Sequence, residues 1–339
     1  MKNPVSHLGS PGQSGDENRH HSLTKPAVHI QSLVIVLAGP TAIGKTELSF
    51  AIADHFNCEI ISMDSVQVYR HMDIGSAKPT PKELGQVRHH LIDIVNPDEQ
   101  YNAAHFVRDC LQAIEDMCAR GKTPLITGGT GLYLSCLLNG LFETIHVKDE
   151  IRDSLKKELQ TRGLPALYQE LRQVDPATAE RVHANDRQRI LRGLEIHRAT
   201  GIPWSEHLRK QRQQAPPVRF ANLYAIGLES DRSQLYQRIN RRSKQMLAQG
   251  LIDEVARLRN MGYGPELPSM QTIGYRHVNQ YLDGQLDLPT MTEILARDTR
   301  RYAKRQMTWF KRQAELHWYD REQHQQIIHD IKQLKNRML

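Results

Sequence analysis

Short, mostly apolar runs recur through the chain at Leu33–Leu37 (LVIVL), Cys58–Met63 (CEIISM), His89–Ile94 (HHLIDI), Thr123–Thr127 (TPLIT) and Leu223–Leu228 (LYAIGL). Runs of this length, rich in β-branched residues and not alternating with polar ones, predict strands buried on both faces of a parallel sheet. Helical periods stand between them. Thr46–His55 is one, and Asn102–Gly121 is another, with Ala103, Phe106, Val107, Cys110, Leu111, Ile114 and Met117 on one face. An apolar helix reaches Leu138, and Met72–Leu84 reads as a Gly/Pro loop passing into a turn or short helix. From Phe142 the pattern changes: Ile151–Lys210 is helical and charged with no strand-like run, and Gln211–Val218 reads as a linker. After Leu228 the remainder is helical and basic. The fold class expected is α/β, a parallel sheet core interrupted by an all-helical insertion and completed by a helical C-terminal part. The boundaries drawn are a disordered leader at 1–31, core at 32–141, insertion at 142–217, core completion at 218–322 and a tail at 323–339.

Composition narrows the setting. The 339 residues are 39% hydrophobic, and the mean hydropathy is −0.57. No run approaches the roughly 18 apolar residues of a membrane span, and Met1–His29 lacks the apolar segment of a secretory signal. Cys58, Cys110, Cys118 and Cys136 are scattered with no C-x-x-C pair, which suits reduced thiols of a cytoplasmic protein and argues against zinc. The net charge is +7, and the excess is concentrated late in the chain. Arg297–Arg312 carries seven positive side chains against one acid, Asp298. There Arg297, Arg301, Lys304, Arg305 and Arg312 share a helical face flanked by Tyr302, Gln306, Trp309 and Phe310. Such a face suits phosphate-backbone contacts, or it is an ordinary solvated surface.

The candidate chemistry begins where the first strand ends. Gly39-Pro40-Thr41-Ala42-Ile43-Gly44-Lys45-Thr46 fits G-x-x-x-x-G-K-[ST], the phosphate-binding P-loop, between a predicted strand and a predicted helix. Glycines let the backbone N–H groups converge, the helix N-terminus adds positive potential, Lys45 adds a charge, and the Thr46 hydroxyl can hold Mg²⁺. Asp64 follows the second strand, either as an acid beside the P-loop or as a helix cap. Gly128-Gly129-Thr130-Gly131 after the fourth run either meets the same ligand or allows tight packing. That strand lacks the terminal acid of ATPases. His89 and His90 point to opposite strand faces and do not share a metal. Arg189 and Arg192, three apart, share a helix face.

Taken in order, GPTAIGKT (39–46), DSVQVYR (64–70), MDIGSAKP (72–79), HHLIDI (89–94), GGTGLY (128–133), NDRQRILRGLE (185–195), IGYR (273–276) and AKRQMTWF (303–310) resemble the tRNA dimethylallyltransferases, or tRNA isopentenyltransferases, in their compact bacterial form. The resemblance implies a P-loop NTPase-like core and transfer of a dimethylallyl group from dimethylallyl diphosphate, with Mg²⁺, to N6 of the adenosine 3′ of the tRNA anticodon. Asp64 is then the candidate base, and Thr41 would stand beside the reacting centre. Asp64, Ser65, Val66, Gln67, Thr130, Arg152, Gln188, Arg189, Ile190, Leu191, Arg192, Met270, Gln271, Thr272, Ile273, Gly274 and Tyr275 would line the RNA path. The insertion would clamp the anticodon stem-loop, and the protein is expected to act as a cytoplasmic monomer. Three alternatives are an adenylate isopentenyltransferase, which would need neither the insertion nor the basic C-terminal face, a P-loop small-molecule kinase, which would need a γ-phosphate, and a non-catalytic RNA-binding protein, which would leave Asp64 and the intact P-loop unexplained.

Overall fold

The apolar runs assemble into one sheet. In a computed structural model describing residues 28–140, 145, 147–213 and 218–338, six strands form: β1 Val28–Ala38, β2 Cys58–Met63, β3 His89–His90, β4 Thr123–Gly128, β5 Val218–Glu229 and β6 Leu316–Asp320. Their order is β3-β2-β4-β1-β5-β6, parallel throughout. β1 is central, and its residues Val34 to Ala38 are fully buried. Successive side chains go to opposite faces. Val34, Val36 and Ala38 join one core layer, while Leu33, Ile35 and Leu37 join the other.

Helices cover both faces, as parallel strands require. They are α1 Lys45–Phe56, α2 Pro81–Gln86, α3 Ala103–Ala119, α4 Gly131–Asn139, α5 Asp149–Val174, α6 Pro176–Arg181, α7 Arg187–Thr200, α8 Trp204–Gln213, α9 Arg232–Ala248, α10 Leu251–Asn260, α11 Tyr275–Leu282, α12 Leu288–Phe310 and α13 His324–Met338. α3 and α4 pack on the first layer, and α1, α9 and α13 on the second. α3 starts where Asn102 caps it, its side chain accepting from the Ala104 and His105 N–H groups. α5 is broken at Gly163, whose φ is 74°. Leu155, Leu167, Leu171, Ile190 and Leu194 give α5–α7 a core of their own. α10, α11 and the front of α12 enclose another core with Val68, Tyr69 and Met72. No helix among the described residues is long and apolar enough to cross a membrane.

Several expectations need correction. Val28, His29 and Ile30 pair with Val218, Arg219 and Phe220, so 28–31 belongs to the sheet; residues 1–27 of the expected leader lie outside the described residues. The third strand stops at His90, because Leu91 and Asp93 adopt φ of 62° and 56°. Gln211 to Gln213 belong to α8 and Val218 to β5, which leaves 214–217 of the expected linker outside the description. β6 was not anticipated: it is a five-residue edge strand in which only Leu316 is buried, so its apolar signal is faint. The expected tail is α13, and its Ile327 and Ile331 are fully buried against the sheet.

Candidate active site

The P-loop spans the six residues between β1 and α1. Gly44 takes φ 115° at the helix entrance, a region that L side chains avoid. Lys45 folds back over the loop, with Nζ donating to the carbonyls of Gly39 (2.9 Å) and Pro40 (2.8 Å). Burial, reinforced by the nearby Arg242, lowers its pKa to about 7, against the opposing pull of Asp64. Arg238 Nε donates to Ala42 O at 2.8 Å from α9. Gln306 of α12 is a strut: its Oε1 accepts from Thr41 N at 2.9 Å and its Nε2 donates to Gly129 O at 2.8 Å. A Cβ on Gly129 would lie 2.3 Å from that Nε2. The second glycine turn is therefore built for close packing, and Gly128 and Gly129 still border the cavity below.

Asp64 caps no helix, since the next one begins at Pro81; it closes a turn and borders the same cavity as the P-loop. Oδ1 accepts from the N–H groups of Val66 (2.8 Å) and Gln67 (3.2 Å), closing the turn after β2. Oδ2 accepts no hydrogen bond among the described residues. Lys45 and Arg242 supply positive charge close enough to shift against it. Gln67 accepts from Ser62 Oγ at 2.8 Å and reaches the carbonyls of Ser76 (3.4 Å) and Ala77 (3.2 Å).

One cavity of about 970 Å³ takes in Thr41, Ala42, Ile43, Gly44, Lys45 and Thr46, together with Asp64 to Gln67 and Gln271 to Gly274. Arg238, Arg241 and Arg242 of α9, Arg276 of α11, and Tyr302 and Arg305 of α12 complete its polar wall. The sequence marks the α9 stretch only as helical and basic, with no site assigned to its arginines. Their signal was the four-residue spacing of Arg238 and Arg242, which puts both on one face. Gln306 offered no signal, because its partners are 265 and 177 residues away.

The other expected RNA contacts are not brought to this cavity. Thr130 opens α4 with a buried hydroxyl that has no partner. Arg152 is exposed and pairs with Asp149 at 3.0 Å. On α7, Gln188 and Arg189 are exposed, Arg189 pairs with Asp186 at 2.5 Å, and Arg192 pairs with Glu195 at 3.2 Å. Leu191 leans on the insertion core. Ile190, Met270 and Tyr275 correct the expectation: all three are fully buried and offer no surface to an RNA. Hydrophobic periodicity on α7 and α11 was a sufficient warning, since both residues there continue the apolar stripe.

On α12 the single acid organises the basic face. Asp298 accepts from Arg276 at 2.7 Å and lies 3.1 Å from Arg297, 3.7 Å from Arg301 and 3.3 Å from His277. Burial works to raise its pKa, but hydrogen bonds from His277, Arg297 and Arg276 hold the carboxyl down at about 2. Lys304 and Arg305 are exposed, and Arg305 stands 5.7 Å over the Tyr302 ring.

The oxygen donors fit a substrate-borne Mg²⁺ better than a resident metal. Among the described residues no group of three His, Cys, Asp or Glu side chains could hold an ion. Thr46 offers one exposed hydroxyl in the first turn of α1, within the same cavity as Asp64. Mg²⁺ commonly takes few protein ligands and fills its octahedron with phosphate oxygens and water. His90 is engaged elsewhere, with Nε2 2.7 Å from the buried Glu59, which Arg120 also clasps.

Comparison with known proteins agrees with this geometry. The family model for IPP transferase matches residues 67–313. The tRNA dimethylallyltransferase of Desulfotalea psychrophila is 50% identical over 304 residues, covering 90% of this chain and 96% of its own. That of Thermotoga maritima is 45% identical over 287 residues, covering 85% and 92%. The crystal structure of the tRNA isopentenylpyrophosphate transferase of Bacillus halodurans superposes with a TM-score of 0.66 at 37% identity, over 91% of this chain and 98% of that one. A eukaryotic dimethylallyltransferase acting on tRNA gives 0.70 at 30% identity, over 86% and 74%. A P-loop core carrying a helical insertion, matched over most of its length by these proteins, places the chain in the IPP transferase family.

Proposed function

We propose that this protein transfers a dimethylallyl group from dimethylallyl diphosphate to N6 of adenosine 37, just 3′ of the anticodon in tRNA. The observation that carries the reading is one cavity shared by a complete P-loop and the carboxylate of Asp64, walled by arginines and without the acid that ATP hydrolysis uses. The P-loop N–H groups and Lys45 hold the diphosphate. As the N6–carbon bond forms, the carbon–oxygen bond to diphosphate breaks, and Asp64 Oδ2 takes the N6 proton. Lys45 and Arg238 meet the charge that collects on the leaving group. Thr41, whose N–H is fixed by Gln306, stands in the loop where its hydroxyl can orient the bridging oxygen or Asp64. Mg²⁺, when bound, supplies Lewis-acid stabilisation of the diphosphate oxygens, and Thr46 would hold it.

The acceptor base reaches this depth only if it leaves its stack, as in other enzymes that work on bases. Gln271 to Gly274 and Ser65 to Gln67 then form the walls around it. The exposed polar residues of α5 and α7 and the arginines of α12 contact the stem-loop backbone. The test is direct. Labelled dimethylallyl diphosphate, Mg²⁺ and unmodified bulk tRNA are incubated with the protein, and the RNA is digested to nucleosides. Label in N6-(dimethylallyl)adenosine is expected. Label only in added free adenine nucleotide would assign the smaller acceptor, and thermal protection by ATP but not by dimethylallyl diphosphate would assign a kinase.

A further inference from the structure

Glu254, in the first turn of α10, is 1% exposed, and its partners are not cations. A buried carboxylate is costly unless hydrogen bonds replace its water. Here Oε2 accepts from the N–H groups of Asp73 (3.1 Å) and Ile74 (2.8 Å). Oε1 accepts from Gly75 N–H (3.1 Å) and from the Tyr275 hydroxyl (2.8 Å). Three successive N–H groups converging on one point form a backbone anion nest, and the protein's own side chain fills it. Burial, with the Glu254 charge behind it, pushes the Tyr275 phenol well above its usual range, so it stays protonated and donates.

The two segments joined in this way both border the active cavity, one through Gly75 to Ala77 and the other through Gln271 to Gly274. Their contact is close enough that a Cβ on Gly75 would lie 2.5 Å from the Tyr275 ring. The first segment is also tied to Gln67, three residues beyond Asp64, through the carbonyls of Ser76 and Ala77. Hydrogen bonds thus tie Glu254 to both loops, and tie the first of them onward to the turn that carries Asp64.

We infer that Glu254 is a positioning residue for the acceptor. By clasping Asp73 to Gly75 and Tyr275 together, it sets the gap between the two loops in which the adenine is presented to Asp64. This rests on the prenyl-transfer reading above. Glu254 meets neither substrate, so the diphosphate half of the site should not notice its loss.

The experiment compares Glu254→Gln and the milder Tyr275→Phe with the parent protein. Single-turnover prenyl transfer, tRNA KM and dimethylallyl diphosphate affinity are measured, together with amide hydrogen exchange across 72–77 and 271–275. For Glu254→Gln, a fall in rate and a rise in tRNA KM of about tenfold each are expected. Diphosphate affinity should stay within about twofold, and exchange should rise in both loops together. Tyr275→Phe should shift tRNA KM in the same direction by less. Unchanged tRNA kinetics, equal loss of both substrates, or faster exchange in one loop alone would overturn the inference. A parent protein that transfers no prenyl group would instead refute the proposed reaction, and with it the acceptor role. The exchange data would still decide whether Glu254 couples the loops.

Discussion

Lys45 is held over its own loop carbonyls with a pKa near 7, so anion binding at the P-loop is linked to protons. Bound diphosphate favours the charged ammonium. Affinity should therefore be greatest below pH 7 and weaken above it, by at most about tenfold per pH unit, as titration calorimetry in buffers of different ionisation enthalpy would show through proton uptake. The free protein behaves in the opposite sense. A lysine whose folded pKa lies below its unfolded value of roughly 10.4 imposes a stability penalty that is full below pH 7 and fades as pH rises towards 10.4. Lys45→Met should remove that penalty, raising the thermal midpoint at pH 7 while abolishing diphosphate protection. Asp64→Asn keeps the turn cap and should leave tRNA affinity nearly intact, yet single-turnover transfer with both substrates saturating should fall by roughly 10²–10⁴-fold. Near-normal transfer would reduce Asp64 to closing its turn. Rescue by added Mg²⁺ would assign it to the metal. Residues of this kind were legible because phosphate chemistry restricts which types can stand at which spacing. Glu254 and Gln306 were not, because a lone Glu or Gln in a charged helix looks like surface until its distant partners are known.

Among the elements, α12 is the one that the proposed reaction asks to serve both the P-loop and the RNA. Gln306 braces the P-loop and Arg305 borders the cavity, while Arg301 and Lys304 are exposed on the same helix. Replacing Arg301 and Lys304 by Ala should flatten the salt dependence of tRNA affinity by about one to two units in the log–log slope, and leave diphosphate binding alone. An unchanged slope would make them ordinary surface charges. α13 tests the corrected boundary. Ile327→Ala removes a fully buried side chain from the layer beneath α1 and should cost about 2–5 kcal/mol in denaturant unfolding. A disordered tail would lose nothing. The helical periods and long apolar runs were readable because burial on both sheet faces leaves a strong pattern. β6 was not, since an edge strand packed on one side needs only one buried residue, and its aromatic Trp318 sits instead beneath Lys311, 4.1 Å from the ring centroid.

For the whole molecule, separate cores predict separable failures. Leu171 is fully buried in the insertion, and a Cβ on Gly193 would come within 2.7 Å of its Cδ1. Leu171→Ala should destabilise α5–α7 by about 2–5 kcal/mol. Diphosphate would still protect the sheet against unfolding while tRNA turnover fell, and calorimetry would resolve an added low-temperature transition. Loss of both functions in one cooperative step would show that the insertion and the sheet stand or fall together. The separate core of α5–α7 matches the charged helical stretch that the sequence shows over Ile151–Lys210. The way the C-terminal helices close one cavity with the P-loop was not legible, because it depends on contacts that no local pattern encodes.

The position of β1 between β4 and β5 also bears on how the protein is made. On the ribosome, one long flank of the central strand waits for a partner about 190 residues downstream, on the order of ten seconds or more of synthesis. The brace on Thr41 comes later still, with α12. During that interval the nascent chain exposes an apolar strand edge, the kind of surface that invites chaperones or aggregation. A ribosome-bound intermediate ending inside the insertion should therefore be unable to retain diphosphate, and the catalytic site matures among the last parts of the chain to leave the exit tunnel.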